Sequence, residues 1–239
     1  MPISFSINQW SGWIPTEELD ADGQSLSPCM DCSEKPDVAI IPAMLRRRLN
    51  TLGRAAAAEL LKYFDVGGNI PVVYCSQHGD IERTLSVLET LAEEEPISPM
   101  HFSLAVHNAI CGVLSIHTGN EANICSLAAG EQGVVPALLE AAGIIEEGAE
   151  KVLCIIADVR LPDIYYDASS KPKLPFTVSA LISRANSENR FSLQLSEPTD
   201  SFSYQCPTEL VAFLDSGKSS LALHHNGNNW LLKRDFQPA

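Results

Sequence analysis

The side chains with chemical potential are few. The sequence holds seven cysteines and six histidines. A thiol attacks only as its thiolate, so each cysteine matters by what surrounds it. Cys125 stands in the run Cys125-Ser126-Leu127-Ala128-Ala129-Gly130, where an apolar strand is expected to turn into a helix. Cys29 and Cys32 form the sole CxxC pair. That pair is half of a zinc site with no second half, and it lacks the strand-then-helix setting of a redox motif. Two cysteines in a loop are the plainer reading, and no metal or cofactor is expected. His107 and His117 flank Gly112 on an apolar stretch, where buried, hydrogen-bonded histidines are commoner than catalytic ones. Asn108 is expected to hold a loop by local hydrogen bonds, and Asp158, ending an apolar run, to tie down backbone donors. His224-His225 precede Asn226-Gly227, a hairpin signal.

The elements that must position these residues alternate. A short strand is expected over 4–9, then a long connection rich in Ser, Pro, Asp and Cys to Pro36. From Pro42, AMLRRRLNTLGRAAAAELLKYF has apolar residues at helical spacing and predicts one continuous helix, with Arg46, Arg47 and Arg48 on its early turns. A strand over 70–76 and an amphipathic helix over 80–95 follow. Residues 106–116 have a mixed apolar pattern closed by Gly119-Asn120. A strand over 122–127 runs into Ala128-Ala129-Gly130 and a helix to about Glu147, which Pro136 should bend by removing a hydrogen bond. Residues 151–159, KVLCIIADV, read as a strand buried on both faces. Past Pro162 the texture becomes β-rich, with strands over 176–183, 190–195, 219–225 and 230–233 and one helix over 208–215. The alternation indicates a layered α/β fold, and the 239 residues are expected to form a single domain.

Thirty acidic residues against sixteen basic give a formal charge of −14, which excludes a sequence-independent phosphate-binding surface and with it nucleic acid. No stretch approaches the ~18 consecutive apolar residues of a membrane span. The N-terminal MPISFSINQW lacks the basic-then-apolar order of a secretory signal. A cytoplasmic location with reduced thiols is therefore expected.

Two segments, taken together, resemble the N-terminal half of the thiolase-fold condensing enzymes, the β-ketoacyl synthases. One is Ile97-Ser98-Pro99-Met100-His101-Phe102-Ser103-Leu104-Ala105-Val106-His107-Asn108-Ala109-Ile110-Cys111-Gly112. It is similar to the family's Ser-Pro, aromatic, Asn-x-x-x-Gly segment. The other is Cys125 to Gly130, followed by Gly148 and the apolar strand ending in Asp158. It is similar to the family's strand, nucleophile elbow, helix and returning strand. The likeness covers roughly residues 37–160 and implies a shortened thiolase-like fold. That fold is layered α/β/α, best matched over 1–160, with a reduced, β-rich C-terminal portion.

The departures from the family carry the functional expectation. Counting back from Gly130, the nucleophile's position holds Leu127, which can form no acyl thioester. Nothing after Pro162 resembles the family's two histidine segments or its Gly-rich oxyanion turn. The chain resembles the family's short noncatalytic members, the chain length factors of type II polyketide systems, particularly those of aryl polyene pathways. That resemblance implies a heterodimer with an active β-ketoacyl synthase, joined through the strand leading to Leu127, and contact with acyl carrier protein only through the partner. It also implies a set of tunnel and interface residues: Met100, His101, Phe102, Leu104, His107, Asn108, Cys125 and Leu127. Arg46 to Arg48 read most simply as a solvated face, and they are also the local candidate for contacting an acidic partner. Two other readings stay open: a self-sufficient acyltransferase or thioesterase using Cys125, and a homodimeric acyl-binding protein.

Overall fold

The computed structural model describes residues 2–15, 27–64, 68–130, 133–165, 175–186, 189–197 and 207–235. These residues form a single mixed sheet with helices on both faces. Its strands are β1 (Ile3–Trp13), β2 (Met30–Asp31), β3 (Val72–Cys75), β4 (Ile124–Leu127), β5 (Lys151–Asp158), β6 (Phe176–Arg184), β7 (Arg190–Ser196), β8 (Ser220–His225) and β9 (Asn228–Arg234). They lie in the order β4-β3-β5-β6-β1-β7-β9-β8, with the two-residue β2 beside β1. β4, β3 and β5 are parallel, and from β5 to β8 every neighbouring pair is antiparallel. The β-rich C-terminal portion therefore continues the same sheet.

Side-chain alternation assigns the faces. Val72 and Tyr74 of β3, with Leu153, Ile155 and Ala157 of β5, point into one core. There they meet α1 (Ala43–Arg46), α2 (Thr51–Leu61) and α5 (Ala109–Thr118). Val73, Cys75, Val152, Cys154 and Ile156 point the other way, onto α6 (Val134–Glu146) and α7 (Thr208–Asp215). α6 is apolar nearly all round, which requires cover on more than one side. It touches β1, β3, β5 and β6 along one side and β8 along another, so the sheet curls over it. Leu221, Leu223 and Leu232 of the terminal hairpin join the same core.

Three expectations need correction. The helix expected from Pro42 is two, α1 and α2. Asn50 breaks it by accepting from the backbone N–H of Gly53 at 3.1 Å while its amide donates to Asp80 at 2.7 Å. An N-cap with a second, long-range partner outweighs helical propensity across the break. The strand expected over 4–9 extends to Trp13, because a register shift between Ile7 and Gln9 resets the alternation. The helix expected right after Gly130 starts at Val134, so Pro136 is its third residue, where a missing N–H breaks no bond. The remaining helices are α3 (Ile81–Ala92), capped by Asp80, and α4 (Pro99–Ser103). The strands and helix read after Pro162 lie within a few residues of their expected bounds.

Gly133 caps α6 at φ +61°, and a β-carbon there would lie 2.8 Å from the sulfur of Cys75 and 3.0 Å from Ile156. Both the left-handed backbone and the contact exclude side chains. Gly133→Ala is expected to cost roughly 2 kcal/mol or more, read from the midpoint of denaturant unfolding.

Candidate functional site at the open end of the sheet

The carboxyl ends of β3, β4 and β5 converge, and Ser76 knits them together. Its N–H donates to the Leu127 carbonyl at 3.0 Å, and its hydroxyl donates to Asp158 at 2.8 Å. The same hydroxyl accepts from the N–H of Gly79 at 2.9 Å, and the Ser76 carbonyl accepts from His107 Nε2 at 2.9 Å. Asp158 also accepts from the Gln77 N–H at 2.8 Å. Burial pushes its carboxyl above the ordinary range, and the bonds from Ser76 and Gln77 oppose the rise. The role found is the one expected, tying down donors.

Leu127 ends β4 half-buried, and its side chain packs with those of Cys125 and Ala129 against the larger core. The next helix, α6, begins seven residues later in the sequence, at Val134. Cys125 faces the same way, and its thiol is pushed up to about 11, first by burial and then by Glu140. Burial likewise raises Cys29, Cys32, Cys75, Cys111 and Cys154. None of these six thiols is primed for attack at neutral pH. At pH 7.5, iodoacetamide is expected to label Cys125 roughly a hundredfold more slowly than an unperturbed thiol, the rate climbing toward pH 11. Mass spectrometry of the labelled peptide against time checks this.

The opposite face of β4 bounds a cavity of about 390 Å³ lined by His107, Asn108, Ile124, Ser126 and Ala128. His107 and Asn108 thus stand together, with Ser126 and Ala128 beside them. Cys125 and Leu127, also expected here, lie on the other side of the strand. Met100 and Phe102 stand 62% and 57% exposed on α4, while His101 and Leu104 are half-buried. His117 is exposed and lines a separate groove of about 320 Å³ with Met44, Leu45, Arg48, Val113 and Ile116. Cys29 and Cys32 flank β2 and pack against the larger core.

β4 is the edge of the sheet, and it is unguarded. Its parallel ladder with β3 uses alternate residues, and the backbone groups of Ile124 and Ser126 face outward. Its sequence ICSL carries no charge, and residues 84–150 contain ten glutamates and no lysine or arginine. Edges left without a cationic guard are the ones that pair. Of twelve large apolar residues exposed among those described, six lie between Leu88 and Ile116, in the segment leading to this edge. No helix of the described residues is long and apolar enough to cross a membrane.

The sequence over residues 18–232 matches the family described as β-ketoacyl synthase, N-terminal domain. The match extends well past the 37–160 region where the likeness was legible. No curated protein matches the sequence. Among solved structures, the chain is similar to one in the complex of a ketosynthase with its chain length factor from Xenorhabdus doucetiae. The TM-score is 0.75 at 26% identity, over 97% of this chain and 99% of that one. The ishigamide ketosynthase/chain length factor gives 0.60 at 16% identity over 81% and 67%. A β-ketoacyl synthase from Burkholderia phymatum STM815 gives 0.54 at 13% over 77% and 59%. The last two share the fold, which is thiolase-like and here shortened. With its sheet order, its elbow strand and nearly its whole length accounted for, the chain belongs to the β-ketoacyl synthase N-terminal-domain family.

Proposed function

We propose that this chain is a noncatalytic, chain-length-factor-like subunit that pairs through β4 with an active β-ketoacyl synthase of an aryl polyene-type polyketide or fatty-acid pathway. The single observation that carries the reading is Leu127: the elbow position holds a side chain that packs into the core and has no nucleophile. The raised Cys125 thiol weighs against a displaced nucleophile on the same strand. The near-complete overlap with a chain from a ketosynthase and chain length factor complex supports the same role. In this role Met100, His101, Phe102 and Leu104 reach toward the partner and help close its acyl tunnel, and acyl carrier protein is met through the partner. The open edge offers the partner's strand unpaired backbone groups, and the apolar side chains around it supply the burial that an obligate interface needs.

Coexpression with a full-length synthase from the same source, followed by light scattering, tests the proposal. A one-to-one heterodimer is expected, with aggregation of the chain made alone, because an uncovered apolar edge is a liability. A stable monomer or homodimer that ignores every such synthase refutes it.

A further inference from the structure

The groove between α1 and α5 joins bare apolar side chains to concentrated positive charge. Met44, 78% exposed, and Ile116, more exposed still, line it together with Leu45 and Val113, which pack into the smaller core. Arg48 and His117 complete the lining. Apolar surface rimmed by polar groups marks an interaction site. Between Asp37 and Glu59 the sequence holds four arginines, Arg46, Arg47, Arg48 and Arg54, and no acidic residue. None of the four forms an ion pair among the described residues. The guanidinium of Arg54 donates to the Arg46 carbonyl at 3.3 Å, and that of Arg83 to the Arg48 carbonyl at 3.0 Å, so cations are gathered here. In a chain of formal charge −14 this is a local reversal of sign.

α5 ties this groove to the open edge of the sheet. Asn108, Gly112 and Ile116 follow one another at four-residue spacing, all exposed, and so form one stripe along the helix. The stripe begins beside β4, where Asn108 stands, and ends in the α1 groove, where Ile116 stands. At 1.5 Å per residue that is about 12 Å, well inside the footprint of an ordinary subunit interface.

We infer that the synthase makes a second contact, seating in the α1–α5 groove an element that carries an apolar side chain beside a carboxylate, and that Arg48 and its neighbours select for that carboxylate. The inference rests on the subunit reading and adds to it a charge requirement away from β4. Continuity along α5 favours the synthase as occupant, because a molecule paired with β4 and following the stripe arrives at the groove. The charge pattern then says what it must bring. Residues 84–150 carry ten glutamates and no lysine or arginine, whereas residues 38–58 carry four arginines and no acid. A partner matched to both is basic opposite the first stretch and acidic opposite the second. Such a two-signed match fixes the orientation of docking and turns away synthases with the wrong pattern.

The test uses the purified heterodimer. With p-benzoylphenylalanine in place of Met44, irradiation is expected to join the chain to a synthase peptide containing Asp or Glu, identified by mass spectrometry. The same probe in place of Phe102 reports contact in the segment leading to β4. Arg48→Glu should leave the melt of the chain unchanged, since the Arg48 side chain is exposed and bonds to nothing among the described residues. It should weaken the heterodimer at least about tenfold in 0.1 M salt. The deficit should shrink in 1 M salt, where the screening length falls from about 10 Å to about 3 Å. Cross-linking from position 102 with none from position 44, or an Arg48→Glu heterodimer of undiminished affinity, overturns the groove assignment and leaves pairing through β4 standing. An adduct from position 44 to a second copy of this chain, or to a carrier protein added to the mixture, also overturns it and gives the groove to that occupant. Absence of any heterodimer refutes the subunit reading itself, and this inference with it.

Discussion

Gly112→Arg is expected to leave the chain folded and slightly more stable, and to abolish its association with a synthase. Gly112 sits inside α5, exposed, and a β-carbon placed on it meets nothing within 4 Å. A glycine inside a helix costs about 1 kcal/mol relative to ordinary residues, and nothing in this chain requires that cost. Its exposed neighbours one turn away are Asn108 and Ile116, the latter 85% exposed. Asn108 places this face beside the β4 cavity. The economical account is close approach by another molecule, which a large cation here would block. Thermal melting should show a gain of a few degrees, and light scattering should show loss of the heterodimer. Undiminished pairing would remove α5 from the interface and leave Gly112 without explanation.

Glu59→Ala should have the largest effect on stability. Glu59 is 2% exposed, on the helix face that meets β1 and β6. Its carboxylate accepts from the hydroxyls of Ser11 and of Ser179, the latter at 2.7 Å, and pairs with Lys62 at 2.7 Å. The Tyr63 hydroxyl lies 3.2 Å from that of Ser179 and closes the cluster. Removing the carboxylate takes the charged acceptor from two serines, which keep only each other at 3.0 Å and the Tyr63 hydroxyl, while Lys62, 44% exposed, can turn to water. Each hydrogen bond to a charged acceptor is worth roughly 1.5–3 kcal/mol, so losing both costs about 3–5 kcal/mol. For a chain of this size that lowers Tm by roughly 10 °C. Glu59→Gln keeps an acceptor for both serines, which donate to the same oxygen, and loses only the pair with Lys62, so it should lose distinctly less. A melt of Glu59→Ala within a degree or two of wild type would show that the cluster adds little.

Legibility in the sequence followed the range of the interactions. The strands of the C-terminal portion were readable because each is a short apolar alternation between turn residues, and Asn226-Gly227 does turn β8 into β9 with positive φ at both positions. The end of β4 at Leu127 was legible because the short apolar run and the small residues after it are local signals. The break at Asn50 was not, since its amide answers to Asp80 thirty residues on. The Glu59 cluster was invisible for the same reason, its serines lying 48 and 120 positions away. Ser126 and Ala128 read as mere companions of the elbow. Only the folded chain, which brings the residues just before α5 beside β4, sets them near His107 and Asn108.

The sheet has two ends, and they differ. At β8 no large apolar side chain stands exposed, and Lys218 precedes the strand; at β4 the backbone is bare and cations are missing for dozens of residues. Were both ends adhesive, each added molecule would offer a fresh edge, and growth would run on into ribbons or filaments. With a single adhesive end, the first partner consumes it and growth stops at two.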